Sequence, residues 1–327
     1  MPHICPIYLT APSLRHVFFL FLVSSSVFDV RVDRQSVCLS RLDVCNVPMV
    51  DYPALSLSKA LLTSRLTVLH LHNAQLSGMP LYTLVGALKA NRALQELHLT
   101  NNLLNSYQDA LQLGDLLRYN TTLKTLELSN NAVADSGLEE LCDGLRRQTA
   151  GLRVLLLRNN HITAEGMVHL AKTLPVLKVL QVLDLGENFL GNEGIQVIRM
   201  PLMVNCSVLQ LGLAQASITC EGAVALAEFL AESHQIQRLD LRQNEVKVGG
   251  LMALCLALRI NGSLASLDLD LALPQEQEEF LMEIQTRLQS EIAQCCLTNA
   301  RLSGRTVEAS EMLPAEADDA ADSTTTA

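Results

Sequence analysis

LKTLELSNNAV, residues 123–133, is the stretch on which the fold turns. Leu126 and Leu128 alternate across a polar residue, the period of a strand. Ser129-Asn130-Asn131 then break it with residues that strand interiors disfavour. The same order, Leu-x-x-Leu-x-Leu-x-x-Asn-x-Leu, returns with starts at Leu66, Leu94, Leu123, Leu152, Leu180, Val208, Ile236 and Leu264. The steps between starts are 28, 29, 29, 28, 28, 28 and 28 residues. A spacing held that closely is an internal repeat.

The second half of each period changes rhythm. EGMVHLAKTL (165–174) and EGAVALAEFL (221–230) carry apolar residues three and four apart, the helical period. A glycine recurs fourteen residues after the start at Gly137, Gly166, Gly194, Gly222 and Gly250. It is expected to serve both the turn into the helix and close packing on the neighbouring unit. An asparagine recurs just after the helix at Asn91, Asn120, Asn205 and Asn261, where a left-handed helix end is expected. Each unit therefore reads strand, turn, helix, turn, and resembles the long leucine-rich repeats of the ribonuclease-inhibitor-like class. The expected fold is an α/β solenoid, a horseshoe with a parallel concave sheet and outer helices. One unit cannot shield its own apolar side, so folding belongs to the stack.

The asparagine of the motif now has a reason. Stacking buries the turn after the strand, and an amide with two donors and an acceptor can satisfy backbone groups there. Asn102, Asn131, Asn160, Asn188 and Asn244 hold this ladder position, with Ala74, Ala216 and Ala272 replacing it. The ladder is expected to be weaker at those three units.

The expected organisation is an atypical segment without repeats over 1–57, eight units over 58–275, a capping helix over 276–303 and a disordered acidic tail over 304–327. In the helix Phe280, Ile284, Leu288 and Ile292 follow one another at i, i+4. The tail is acidic and lacks aromatics.

A net charge of −10 excludes nucleic acid as the principal partner, because no basic cluster can release counterions from phosphates. The apolar core of residues 14–28 is too short for a membrane span. Its flanks have the form of a secretory signal. The nine cysteines favour an intracellular site, cytoplasmic or nuclear, because they lack paired spacing. Three glycosylation sequons begin at Asn120, Asn205 and Asn261, but each coincides with the helix-terminating asparagine of the repeat.

No catalytic constellation emerges. His70, His72 and His98 gather on one strand face without a cysteine or carboxylate completing a metal set, so no metal or cofactor is expected. There is neither a phosphate-cradling glycine loop nor a nucleophile elbow. Asp184, Asp240 and Asp268 repeat at one strand position and read as an acidic stripe. What remains is surface. Glu127, Arg153, Arg158, Asp184, Glu187, Arg238, Asp240, Arg242 and Asp268 are expected on the concave face, fit for a protein carrying both charges.

Several segments together carry a closer resemblance: LTVLHLHNAQLSGMPLYTLVGALKANRALQELHLTNNLLN, QLGDLLRYNTTLKTLELSNNAVADSGL, LQLGLAQASITCEGAVALAEFLAES and RLDLRQNEVKVGGLMALCLALRINGSLASLDLD. These resemble the leucine-rich-repeat regulatory subunits of protein phosphatase 1 (the regulatory subunit 37 family) over about Leu61 to Leu302. The match includes off-consensus details such as Ala74 and Ala216. The resemblance implies a non-enzymatic subunit that binds and inhibits the phosphatase catalytic subunit. Members carry a docking motif, basic-x-Val-x-Phe, and here Arg15, Val17 and Phe19 fit that template. They sit in an apolar run, whereas strand-addition docking needs an accessible extended segment. The alternatives are a repeat protein that activates a small GTPase, for which Arg153 and Arg158 are the rim arginines to try, and a generic protein-binding solenoid.

Overall fold

A computed structural model describes residues 39–270 and 279–302. Strands and helices alternate through all of it. The strands are β1 (Arg41–Cys45), β2 (Val68–His72), β3 (Glu96–His98), β4 (Thr125–Glu127), β5 (Val154–Leu156), β6 (Val182–Asp184), β7 (Gln210–Gly212), β8 (Arg238–Asp240) and β9 (Ser266–Asp268). They form one sheet in sequence order, every neighbouring pair parallel. The second residue of each repeat strand is the inward leucine, and Leu69, Leu97, Leu126, Leu155, Leu183, Leu211 and Leu239 are all buried and in register.

The helices are α1 (Asp51–Leu61), α2 (Gly78–Ala90), α3 (Tyr107–Tyr119), α4 (Ala134–Arg147), α5 (Ala164–Thr173), α6 (Gly191–Val204), α7 (Cys220–Glu232), α8 (Val248–Leu258) and α9 (Glu279–Leu302). Each packs on the next, and their inner faces close one continuous aliphatic core with the strand leucines. The chain is thus a parallel α/β solenoid.

The N-terminal segment differs from expectation. β1 pairs with β2 over five residues, and α1 packs on α2, so a ninth unit precedes the eight read from the motif. Leu42, Val44 and Met49 take the places of Leu69, Leu71 and Leu76, shifted by 27 residues, but Val47 stands where the motif asks for asparagine. That substitution and the shorter period hid the unit. Arg15, Val17, Phe19, Ala272 and the acidic tail lie outside the described residues.

At the other end α9 stands where the helix of a further repeat would stand, against α8 and β9. Asn299 donates to the carbonyls of Asn261 (3.0 Å) and Leu264 (3.1 Å), and Gln289 donates to that of Asp270 (2.8 Å). Its buried face runs through Gln285, Ile292, Cys296 and Asn299. Ile284 and Leu288 are half-buried and Phe280 is 68% exposed, so the apolar row of the sequence is off the packing face at its first position.

The recurring glycines correct a second expectation. Their φ values are not positive, so they make no turn. They lie within the first helical turn or just after it and permit close approach: a Cβ on Gly166 would meet Asp135 Oδ1, and one on Gly250 would come within 2.9 Å of the Ala223 Cβ. An equally tight contact, here to backbone, was not read from the repeat. A Cβ on Gly144 in α4 would press into the carbonyl of Gly114 in α3.

Candidate concave binding face

The turn after each strand sets the face. The same turn position is left-handed in eight units: Asn46, Asn73, Asn101, Asn130, Asn159, Glu187, Gln215 and Gln243, with φ between 48° and 59°. Asparagine tolerates that region best among residues with a side chain, which explains five of the eight. The next residue is the ladder position. Asn131 Oδ1 accepts from the Asn102 amide (2.8 Å), while its Nδ2 donates to the carbonyls of Leu99 (2.8 Å), Leu128 (2.8 Å) and Ser129 (3.0 Å). Asn102, Asn160, Asn188 and Asn244 likewise bridge their own turn and the preceding unit. The alanine units still receive a rung from the following repeat: Asn102 serves Ala74, and Asn244 serves Ala216.

A second buried ladder runs along the helix-to-strand edge. Asn91, Asn120 and Asn205 have φ between −66° and −79° and extended ψ, and Asn261 has no positive φ either, so none is the left-handed cap expected of them. Asn120 shows what they do instead. Its Nδ2 donates to the Leu88 carbonyl of the preceding unit (2.8 Å), and its Oδ1 accepts from the amides of Thr122 and Leu123 (both 2.8 Å). Asn299 of α9 adds the last rung. All three sequon asparagines are buried in these bonds, which leaves none free to carry a glycan in the fold.

On the strand face the central outward column reads Asp43, His70, His98, Glu127, Leu156, Asp184, Gly212, Asp240, Asp268. Its first half holds a stacked imidazole pair. The rings of His70 and His98 lie 3.9 Å apart at 32°, with Asp43 Oδ1 3.4 Å from His70 Nδ1 and Glu127 against His98 Nδ1. Burial, the neighbouring His98 and Arg41 push His70 from its ordinary 6.5 down to about 4, against Asp43 and Glu127. Burial pushes the Glu127 carboxyl up, but the His98 hydrogen bond and charge, with Thr100 and His70, bring it below its ordinary value. His72 is not part of the stack; its Nε2 faces Asn101 Nδ2 at 3.4 Å.

The second half is a set of ion pairs. Arg158 donates to Glu187 through Nε (2.9 Å) and Nη2 (2.7 Å). Arg238 donates to Asp268 (2.9 Å), and Arg242 meets both oxygens of Asp240 (2.9 and 2.6 Å). Asp184 and Asp240, expected on the open face, are instead buried. For Asp184 the reason is Gly212, across which it leans so closely that a Cβ there would meet the carboxylate. Burial raises the Asp184 carboxyl, opposed by the Gly186 amide and Arg158 and reinforced by Asp240 and Glu187. Arg153 lies just ahead of β5, exposed, with no ion pair among the described residues. Arg158 is held through Nε and Nη2 by Glu187, unlike a free rim arginine. Among the described residues no group of three or more His, Cys, Asp or Glu could hold a metal ion, and no helix is long and apolar enough to cross a membrane.

The sheet, the buried ladder and the repeat helices meet one external finding. The model of a Leucine Rich repeat family matches residues 119–142 and 232–255, which span β4 with most of α4 and β8 with most of α8. The fold is a leucine-rich-repeat solenoid. Protein phosphatase 1 regulatory subunit 37 of Bos taurus is 48% identical over 87 residues, 26% of this chain and 12% of that protein. NACHT, LRR and PYD domains-containing protein 13 of Homo sapiens is 34% identical over 95 residues (29% and 9%). Ribonuclease inhibitor of Mus musculus is 38% identical over 80 residues (24% and 18%). These matches therefore cover less than a fifth of each relative. The solved complex of Rad7 and Elc1 in yeast overlays with a TM-score of 0.47 at 18% identity, over 75% of this chain and 67% of that one.

Proposed function

We propose that this leucine-rich-repeat protein is a non-catalytic scaffold that holds a protein phosphatase 1 catalytic subunit and restrains its activity. The observation carrying the reading is the 48% identity to the phosphatase regulatory subunit, well above the 34% and 38% shared with the two other repeat proteins. The concave face supports it. Its arginines are held by Glu187, Asp268 and Asp240, so charged groups of both signs are fixed before a partner arrives and little ordering cost remains. Glu127, Arg158, Glu187, Arg238, Arg242 and Asp268 are the residues assigned to the contact, with buried Asp184 and Asp240 holding the geometry and Arg153 at its edge.

The test is retention of a purified catalytic subunit on the immobilised chain, with phosphatase activity read in parallel. The reading expects retention at micromolar concentration with reduced activity. It also expects retention to survive Val17→Ala/Phe19→Ala, because the face and not the docking template carries it. Retention lost in that double variant would move the contact to residues 15–19. No retention of either protein at that concentration overturns the proposal.

A further inference from the structure

The repeat makes the backs of the helices comparable from unit to unit. Residues 16, 20 and 24 places after a motif start fall on successive turns of the outward face. In the unit starting at Leu123 they are Glu139, Asp143 and Arg147, an ordinary solvated back. In the unit starting at Ile236 they are Met252, Leu256 and Ile260, which are 51%, 57% and 75% exposed. The helix that carries the first two, α8, has no charged residue between Val248 and Leu258. A helix apolar all round belongs in an interior, yet this one has an open side. A lone exposed apolar side chain needs no explanation, but three stacked on successive turns form a continuous stripe.

The neighbouring units set the charge beside the stripe. One repeat earlier, 28 residues back, the same positions hold Val224, Glu228 and Glu232 on α7, a helix without a basic residue. Arg199 of α6 already holds Glu228, and Arg259 at the end of α8 already holds Glu291 of α9. Glu232 is exposed and has no ion pair among the described residues. The furrow between α7 and α8 thus has an apolar wall on one side and an acidic wall on the other.

We propose that this furrow is a docking site for a basic amphipathic helix of a partner protein. The apolar face of that helix lies along Met252, Leu256 and Ile260, and lysines or arginines on its flank reach the carboxylates of α7. Charge selects this occupant over the chain's own tail, because residues 304–327 are acidic and α7 repels them. The site lies on the helix side of the solenoid, away from the concave face, and is independent of what that face holds.

The probe is a fluorescein-labelled synthetic helix of about 18 residues, with leucine at i, i+3, i+4 and i+7 and lysine elsewhere. Its anisotropy, titrated with the full chain at physiological salt, is expected to saturate with a Kd in the micromolar range. Met252→Ser/Leu256→Ser/Ile260→Ser is expected to weaken binding at least about tenfold with unchanged circular dichroism, since these side chains face outward. Glu232→Lys is expected to weaken it about threefold, with a larger loss at low salt. The same helix with glutamate in place of lysine is expected not to bind. Binding unaltered by the triple variant, equal binding of the glutamate helix, or no binding at about 100 μM chain would each overturn the proposal. Self-association of the chain in sedimentation, abolished by the triple variant, would assign the stripe to a second copy and overturn it as well.

Discussion

Asn131 answers for four backbone groups in two adjacent units, while Asn101 bonds only a neighbouring ring at 3.4 Å. Truncation should separate the two. Asn131→Ala is expected to cost at least about 2 kcal/mol, since buried groups lose their partners at about 1–3 kcal/mol each, and Asn101→Gly, which keeps the left-handed turn unstrained, under about 1 kcal/mol. Urea unfolding followed by circular dichroism measures both. The ladder position was legible in the sequence because one residue type recurs at one spacing. The left-handed row beside it was harder to read, since Asn, Glu and Gln share it. The helix-edge asparagines were found for the wrong reason: the repeat announced their place, but only packing shows that their amides reach the unit before. Asp184 and Asp240 were misread because period two assigns a face without saying whether a neighbour such as Gly212 lets a side chain lie down on it. The histidine stack gives a pH dependence with a definite sign. His70 titrates at about 4 in the fold and at its ordinary 6.5 when unfolded, so the unfolded chain binds the extra proton between those values. The stability this contributes is whole above 6.5 and is lost as pH falls toward 4. Glu127, held below its ordinary value, acts in the same direction at the acidic end. Thermal midpoints measured across that range are expected to fall less steeply in His70→Asn than in the unaltered chain.

Among elements, α3 and α4 approach through Gly114 and Gly144, where backbone meets backbone. Gly144→Ala forces that crossing apart and is expected to destabilise by about 1–3 kcal/mol, although alanine is the better helix former. Gly86 in α2 has open space around its missing Cβ, so Gly86→Ala is expected to stabilise slightly. Opposite signs in urea unfolding would separate packing from propensity; equal signs would contradict the contact. Element type and order were readable because strand and helix periods alternate strictly. The first unit was not, because Val47 removes its asparagine and its period is a residue short. α9 was readable as a helix, but its inward face turns on Gln285 and Asn299, polar residues that hydropathy alone places outside.

At the scale of the molecule, parallel strands in sequence order leave one sheet face open along its length, and the function proposed above makes the charged residues fixed there the contact surface. Amide hydrogen exchange of the chain with and without a protein phosphatase 1 catalytic subunit tests this most directly. The account predicts slowed exchange in the strands and following turns around Glu127, Arg158, Glu187, Arg238 and Asp268, with the helix backs unchanged, and weaker protection in Arg238→Asp/Asp268→Arg, which keeps the ion pair but inverts its charges. Protection confined to the outer helices, or none at saturating catalytic subunit, would contradict it.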